Sequence, residues 1–522
     1  MTRSKQFLIT SSSDQSIKIW GIPLSASSYG SPFKKQIFEQ VISSDMFLHI
    51  LEILVSIKTL SNQPRHLEEC RRGARFIKTV FQQLGAKSQL IPGESGRNPL
   101  VYGRFNSVHN QVTAPTILFY GHYDVAPTNN DKKWLNNPFK LFGMNGYLYG
   151  RGANDNKGSL ATNIFSVHEL LKEGLLNVNV VFLIEGEGEN GSVGLLEALN
   201  AHKDMFENID LILLSNSYWL GEGVPCITYG LRGVIHATVT ISSHLSDLHL
   251  EAERAASEPL IELVHVLGKL VNPSRDVLIP GFYHDVLPVT NAEEILYDPI
   301  IEWLQLCKNM AHNRLFHSCV TSSVISGSNN GNDDDDDDTS SYDYVVNSKE
   351  IKRQLMLRWR YPTLTVHDID VSVDNPTIIS HKAAALVSMR IVPNQSIEVV
   401  CNGFKQYIHT CFDSLKSVNH INVDIKNHAD YWLGDPHHPY FQAAAKAIEE
   451  EWNMKPLFIR EGDSIPAVSW LEKICQAPVI HIPFGQSSDQ THLPNERICL
   501  SNLHASRRII KSLLLKIGNK LN

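Results

Sequence analysis

The sequence reads Gly150-Arg151-Gly152-Ala153-Asn154-Asp155-Asn156-Lys157-Gly158 directly ahead of a helical run at Leu160–Glu173. An apolar run at Thr116–Tyr120 precedes this stretch, and a second one at Val178–Ile184 follows the helix. Short apolar runs bounded by polar turns are typical of buried strands. Their alternation with a helix predicts an α/β sandwich with a mainly parallel sheet. The glycine-rich stretch then lies at the carboxyl end of a strand, where such sheets place ligands.

The composition is that of a globular protein. The chain has 522 residues, of which 43% are apolar and 20% charged, and this length suits roughly two to four domains. Asp333–Asp338 carry six negative charges, and subtracting −6 from the net charge of −8 leaves −2. We therefore expect neither nucleic acid nor an anionic membrane as a partner. The eight cysteines form no C-x-x-C pair, and we find no signal-peptide pattern, so we expect reduced thiols in a cytosolic protein.

Four segments are expected along the chain. Residues 1–35 include Phe7–Trp20, which reads as two short strands and is similar to the end of a WD repeat. One half-blade cannot bury its own faces, so this is either a chance similarity or the remnant of a longer, propeller-bearing ancestor. Residues 36–231 and 431–522 are expected to form one α/β domain, with residues 232–430 inserted as a second, smaller one.

The inserted segment has its own periodic patterns. Strand-like runs occur at Val234–Ile241 and Val387–Val392, and helical runs occur at Glu258–Leu270 and Val399–Leu415. Between them, residues 329–341 are acidic and of low complexity. We expect this run to be a disordered loop, because it has too little apolar surface to bury.

Histidine and acidic residues cluster after the predicted strands of the first domain. They are His122-Tyr123-Asp124, Asp155, Glu187-Gly188-Glu189 and His492. A lone histidine or an acidic loop is more often packed or solvated than a ligand, but imidazole and carboxylate donors together suit zinc or manganese. Side chains two apart on extended backbone point the same way. Asp124 is therefore expected to accept the second N–H of His122.

These motifs resemble the M20 family of di-metal aminoacylases and dipeptidases, and within it the carnosinase-like, cytosolic nonspecific dipeptidases. The matching segments are Tyr120–Pro127, Gly150–Gly158, Tyr218–Gly221, Ile227–Gly233, Arg358–Pro362, Met389–Pro393 and Arg460–Pro466. The resemblance implies a two-domain architecture. A di-metal catalytic α/β sandwich would comprise residues 36–231 and 431–522, and residues 232–430 would be an α/β lid through which a homodimer forms.

The resemblance also implies roles for individual residues and two divalent ions, zinc or manganese. His122 and Asn216 would hold one ion, Glu189 and His492 the other, and Asp155 would bridge both. Arg390 would meet the substrate carboxylate, and Asp463 and Ser464 would lie in the substrate-binding loop beside it. His249, on the lid, would reach into the partner subunit's site, and Asp124 would orient His122.

The chain departs from the family pattern at several of these positions. Gly188 stands where the family has its general base, and Asn216 stands where it has a ligand aspartate. Asp463 lies in the loop that the family uses for the substrate carboxylate. Glu187, two positions from Glu189 and so on the same side of an extended segment, is the candidate replacement base. A glutamate restored at position 188 is expected to raise activity.

Three functions follow from these observations. The first is a peptidase for small peptides in glutathione breakdown, acting as a subunit of a complex. A WD-type segment ahead of an M20-type domain resembles a subunit of the fungal glutathione-degrading complex, which works with a glutamine-amidotransferase-like partner. The second is an inactive scaffold that dimerises and binds such a partner. The third is an ordinary cytosolic dipeptidase that uses Glu187 as its base.

Overall fold

The chain was analysed as a computed structural model. It describes residues 6–11, 17–22, 46–61, 63–93, 96–109, 114–128, 133–244, 248–249, 257–309, 348–372, 375 and 377–519. The acidic run predicted to be disordered, residues 329–341, lies outside these ranges. The chain divides into two compact units. The first unit comprises Met1–Ile227, Asp435–Leu457 and Leu471–Asn522, and the second unit comprises Thr228–Gly434 and Phe458–Trp470.

The secondary structure alternates between strands and helices along much of the chain. The strands are β1 Gln6–Ser11, β2 Ile17–Ile22, β3 Lys87–Ile91, β4 Leu100–Phe105, β5 Thr116–His122, β6 Phe142–Met144, β7 Tyr147–Tyr149, β8 Asn179–Glu185, β9 Leu211–Leu214, β10 Cys226–Leu231, β11 Gly233–Ser242, β12 Leu248–His249, β13 Thr363–Val371, β14 Ile378–Ile379, β15 Lys382–Ile391, β16 His420–Ala429, β17 Trp432–Leu433, β18 Leu457–Glu461, β19 Val479–His481 and β20 Arg497–Cys499. The helices are α1 46–56, α2 Leu67–Gln83, α3 Lys157–Lys172, α4 Leu195–Ala201, α5 Pro259–Leu267, α6 Asn291–Ile295, α7 Asp298–Asn309, α8 Ser348–Trp359, α9 Ile397–Asp413, α10 Pro439–Trp452, α11 Pro466–Cys475 and α12 Leu500–Gly518.

The first unit is built on a sheet in which six of its strands follow the order β19-β9-β5-β8-β4-β3. The four strands β19, β9, β5 and β8 run parallel to one another. The strand β4 pairs antiparallel with β8, and β3 pairs antiparallel with β4. Every residue of β5 is buried, as expected for a parallel strand with both faces covered. The helix α2 packs on β3 and β4, α3 packs on β5, and α12 packs against α3 and α10.

A buried lysine joins the start of α3 to the end of α1. Lys157 Nζ donates hydrogen bonds to the carbonyl oxygens of Leu54, at 2.8 Å, and Ile57, at 2.9 Å. The last carbonyls of a helix have no partner within the helix, so these bonds satisfy groups that would otherwise be buried alone. The first helical turn of α3 is thereby fixed directly after Asp155.

The second unit contains an antiparallel four-stranded sheet in the order β13-β15-β11-β16. Burial alternates along β11, as expected when one face of a sheet is packed and the other is more open. The packed face forms a core with α5 and α9 that includes Val239, Val387 and Phe404. Elsewhere in this unit, β10 pairs with β17 at Gly230 and Leu433.

Smaller elements complete the described part of the chain. The strands β1 and β2 form an antiparallel pair, so the two short strands expected within residues 7–20 are present. The strands β20, β7 and β6 form a second small sheet. No helix in the described ranges is long and apolar enough to cross a membrane.

A close contact between helix and sheet makes a test of the packing. A Cβ added at Gly103, on β4, would lie 2.6 Å from Cδ2 of Phe81 on α2. We expect Gly103→Ala to lower the free energy of unfolding by about 1–3 kcal/mol, because the ring and the strand must separate. Denaturant titration measures this change.

Gly403→Ala is the matched control. Its Cβ would lie 3.8 Å from the nearest atom, within a helix, so it should be neutral or stabilise by up to about 1 kcal/mol. Equal destabilisation by both variants would contradict the packing argument.

Candidate metal centre

The candidate site lies at the carboxyl ends of the parallel strands of the first unit. The strand β5 ends at His122, β8 ends at Glu185 and β9 ends at Leu214. The loops that follow carry Asp124, Glu189 and Asn216, respectively. Parallel strands bring such loops to one edge of the sheet, so residues far apart in sequence converge there.

Four of the predicted ligands meet in one cluster. Asp155, Glu189 and His492 each place one ligand atom within 4.8 Å of the others. His492 Nε2 lies 3.1 Å from Asp155 Oδ2 and 3.1 Å from Glu189 Oε2. His122 Nε2 lies 3.1 Å from Asp155 Oδ1. Each oxygen of Asp155 therefore faces a different imidazole, which is the arrangement a bridging carboxylate requires.

The charges of this cluster are those of a cation site. Burial acts to lower the pKa of His122, but Asp124 and Asp155 outweigh it and hold that pKa well above its ordinary value. Hydrogen bonds to Asp155 and Glu189 raise the pKa of His492 to about 10. Without a metal the imidazoles hold protons that balance the carboxylates. A divalent cation would displace those protons, so its binding should strengthen as pH rises.

Asn216 supplies a further oxygen. Its Oδ1 is buried and has no hydrogen-bond partner in the described structure. Its carbonyl oxygen lies 2.6 Å from His481 Nε2, which fixes the backbone at this point. A buried oxygen without a protein partner can coordinate an added cation, so Asn216 stays a predicted ligand, and the imidazole and carboxylate donors of the cluster suit zinc or manganese.

Asp124 links His122 to the loop that carries Glu189. Its Oδ1 lies 3.3 Å from His122 Nδ1, and its carbonyl oxygen lies 3.1 Å from the same nitrogen. Its carboxylate also accepts the backbone N–H groups of Gly188 and Glu189, each at 3.0 Å. Asp124 is fully buried. Asp124 thus orients the His122 imidazole and fixes the loop that carries Glu189.

The segment after β8 is not extended. Gly188–Asn190 forms a 3-10 turn, so Glu187 and Glu189 do not share one side of a strand, and the alternation argument for Glu187 is wrong. Glu187 is buried, and its oxygens accept hydrogen bonds from Asn98 N, at 3.1 Å, and Asn190 Nδ2, at 3.0 Å. Glu187 remains a candidate base, and each of its oxygens accepts one of these hydrogen bonds.

Gly188 leaves room for a ligand ring. A Cβ at this position would lie 2.7 Å from Cγ and 2.8 Å from Cβ of His122. These are the near atoms of the histidine, so rotation of the ring alone does not relieve the contact. The expectation that Gly188→Glu simply restores a base is therefore opposed by the structure, because any side chain here displaces His122.

A buried ion pair, not anticipated from the sequence, joins the two loops that carry Asp155 and His492. Arg151 Nη1 donates to Glu496 Oε2 at 2.7 Å, and both side chains are at most 2% exposed. Glu496 Oε1 accepts the backbone N–H groups of Asn154 and Asp155, each at 3.0 Å. Arg151 Nη2 donates to the carbonyl oxygen of His492 at 3.1 Å. In the sequence, these residues are marked only by their spacing: Arg151 lies four positions from Asp155, and Glu496 lies four positions from His492.

The residues predicted to bind substrate lie in the second unit. Arg390 Nη1 donates to Ser464 Oγ at 2.5 Å and lies 3.3 Å from Asp463 Oδ1. His249 lies on β12, where it pairs with Ile378 of β14.

Known proteins share both the sequence and the fold. A model of peptidase family M20/M25/M40 matches residues 118–516. The probable di- and tripeptidase DUG2 of Saccharomyces cerevisiae is 33% identical over 543 residues, with 98% of this chain and 56% of the relative covered. The chain thus spans little more than half of that relative's length. The Cys-Gly metallodipeptidase DUG1 of Candida albicans is 34% identical over 413 residues, with 77% of this chain and 78% of the relative covered.

The fold is also similar to a solved structure. The dipeptidase Dug1p from Saccharomyces cerevisiae superposes with a TM-score of 0.76 and 28% sequence identity, with 93% of this chain and 98% of that chain covered. The α/β fold class expected from the sequence is thereby confirmed.

The ion pair predicts a loss of metal affinity. We expect Glu496→Gln to weaken metal binding roughly 10- to 100-fold, because Asp155 and His492 lose a shared anchor. Competition with a chromophoric chelator measures the affinity. Glu169→Gln, which disrupts the Arg507–Glu169 ion pair of the same unit, is the matched control. An equal loss in both variants would mean that general destabilisation is the cause.

Gly188→Ala tests the contact with His122. The added methyl should push the ring away from Asp155 and lower the metal content by about one ion per chain. Gly403→Ala, whose added methyl meets no atom closer than 3.8 Å, is the matched control. Elemental analysis after dialysis gives the answer, and an unchanged metal content would show that the loop yields instead of the histidine.

Proposed function

The chain belongs to peptidase family M20/M25/M40, and from this premise we propose that it is a metal-dependent hydrolase of small peptides. The proposed substrates are dipeptides of the cysteinylglycine type, which would place the chain in glutathione breakdown. The convergence of His122, Asp155, Glu189 and His492 on one point carries this proposal. Similarity to a Cys-Gly metallodipeptidase supports the substrate class.

The predicted ligands would be divided between two ions. Asp155 would be shared between the two ions, with His122 and Asn216 on one side and Glu189 and His492 on the other. Bound ions would supply Lewis-acid polarisation of the peptide carbonyl and lower the pKa of water. Glu189 is held by a hydrogen bond from Ala126 N to its Oε1 at 3.0 Å, which leaves its Oε2 directed toward His492.

Proton transfer is the weak step of this site. Gly188 has no side chain to accept a proton, and general-base help typically contributes about 10²–10⁴ in rate. Glu187 is the replacement we propose; each of its oxygens accepts one hydrogen bond, from Asn98 or from Asn190, and keeps a second lone pair for a proton. Intrinsic turnover should therefore be low.

A scaffold role is the second candidate. His122 occupies the space that a side chain at position 188 would need, so the site has no general base at that position. In this role the chain would dimerise through residues 232–430, with His249 near the partner subunit, and bind a glutamine-amidotransferase-like protein. Metal would then act as a clamp on the fold.

Peptide turnover and metal content, measured for the unchanged chain and for its Asp155→Asn variant, distinguish the hydrolase from the scaffold. We expect the zinc- or manganese-loaded chain to hydrolyse Cys-Gly, and Asp155→Asn to abolish both turnover and metal retention, because one charge of the bridge is removed. Product release is followed by chromatography. Asp424→Asn, an exposed residue of the second unit paired with Lys426, is the control for charge removal.

A further arm examines the base. If Glu187 accepts the proton, Glu187→Gln lowers kcat by about 10²-fold or more while metal content is unchanged. Full metal occupancy with no turnover of any dipeptide, alone or with a partner, would instead favour the scaffold.

A further inference from the structure

In the second unit, the guanidinium groups of Arg232 and Arg390 contact the short loop Gly462–Ser464. Arg232 Nε donates to the carbonyl oxygen of Gly462 at 2.8 Å, and its backbone N–H donates to the carbonyl oxygen of Asp463 at 3.1 Å. Burial, followed by the neighbouring charge of Arg390, lowers the pKa of Arg232 to about 10, and Arg358 contributes in the same direction. Arg390 Nη1 donates to Ser464 Oγ of the same loop, so two guanidinium groups face Gly462–Ser464, and their positive charge suits an anion.

The carboxylate nearest to this group belongs to the chain itself. Asp463 Oδ1 lies 3.3 Å from Arg390 Nη1, while the same oxygen accepts the backbone N–H of Ser464 at 2.8 Å. The Asp463 side chain is 73% exposed and that of Arg390 is 26% exposed. The pair is thus open to solvent. Its net strength is modest, and an outside carboxylate could reach the same guanidinium.

A tethered carboxylate has an advantage over a free one. Asp463 is held within reach of Arg390 by the chain, so it competes at a high effective concentration. An incoming carboxylate must displace it and then remain near its negative charge. An uncharged group at the same place meets neither cost.

We propose that Asp463 occupies the Arg390 anion site as an internal competitor and selects against peptides with a free carboxylate at that position. The competition lowers the affinity for dipeptides with a free carboxylate, cysteinylglycine included, relative to the same peptides with an uncharged group facing Arg390, such as C-terminal amides. The inference rests on the proposed hydrolase function, with Arg390 as the contact for the end of the substrate.

Two probes that differ only at that end test the inference. Ala-Gly carries a free carboxylate and alanylglycinamide does not, and neither has a thiol that would bind metal. Their dissociation constants are measured by calorimetry on the metal-loaded full chain, and KM and kcat are measured where turnover occurs. Asp463→Asn removes the charge and keeps an oxygen for the Ser464 N–H.

We expect Asp463→Asn to tighten Ala-Gly binding about three- to tenfold and to change alanylglycinamide binding less than twofold. Asp424→Asn, which removes an exposed carboxylate paired with Lys426 in the same unit, should change neither. Adding Arg390→Met to Asp463→Asn should abolish the gain. Equal changes for both probes, or no gain for Ala-Gly, would overturn the inference.

Failure of the inference and failure of the proposed function give different results. If the chain hydrolyses dipeptides but Asp463→Asn shows no selective gain, the hydrolase function stands and the inference falls. If no probe is hydrolysed but the selective gain in binding appears, the anion site stands and the hydrolase function falls.

Discussion

The buried ion pair between Arg151 and Glu496 is the interaction on which the candidate site depends most. It connects the loop before α3 to the loop before β20, which are more than 300 residues apart in the chain. Removing one partner of such a pair leaves a buried charge uncompensated and typically costs about 3–5 kcal/mol. The pair also bonds the backbone of Asp155 and His492, so the contact that joins the two loops also positions the candidate ligands.

This arrangement explains how two carboxylates and two imidazoles can be held so close together. The two imidazoles attract the carboxylates, and fixed backbones hold the pairs in register. Lys157 anchors the start of α3 on one side of Asp155, and Glu496 holds the backbone N–H groups on the other. The backbone of Asp155 is therefore positioned by protein contacts alone, which reduces the cost of ordering it when a cation binds.

Much of the first unit was predictable because its signals are local. The strands β5 and β8 and the helix α3 differ from their predictions by a few residues. The antiparallel pairing of β4 with β8 had no local signal, since pairing direction depends on the path of the chain. The ligands were predictable from residue type, whereas Arg151 and Glu496 were missed because buried charges pair only through the tertiary structure.

The 3-10 turn after β8 was not predictable from the sequence. Glycine at 186 and 188 looked compatible with an extended segment, but the backbone closes into a 3-10 turn because Asp124 draws the N–H groups of Gly188 and Glu189 to one carboxylate. A contact between residues 64 positions apart decided the local conformation, and local propensity does not carry that information.

The packing of His122 against Gly188 has a consequence for protein engineering. A side chain at position 188 cannot be introduced by one substitution alone without moving a neighbour, because its Cβ meets Cβ and Cγ of His122. A redesign would therefore begin elsewhere, with a shift of β5 or of Asp124 that withdraws the ring, and would add the side chain second.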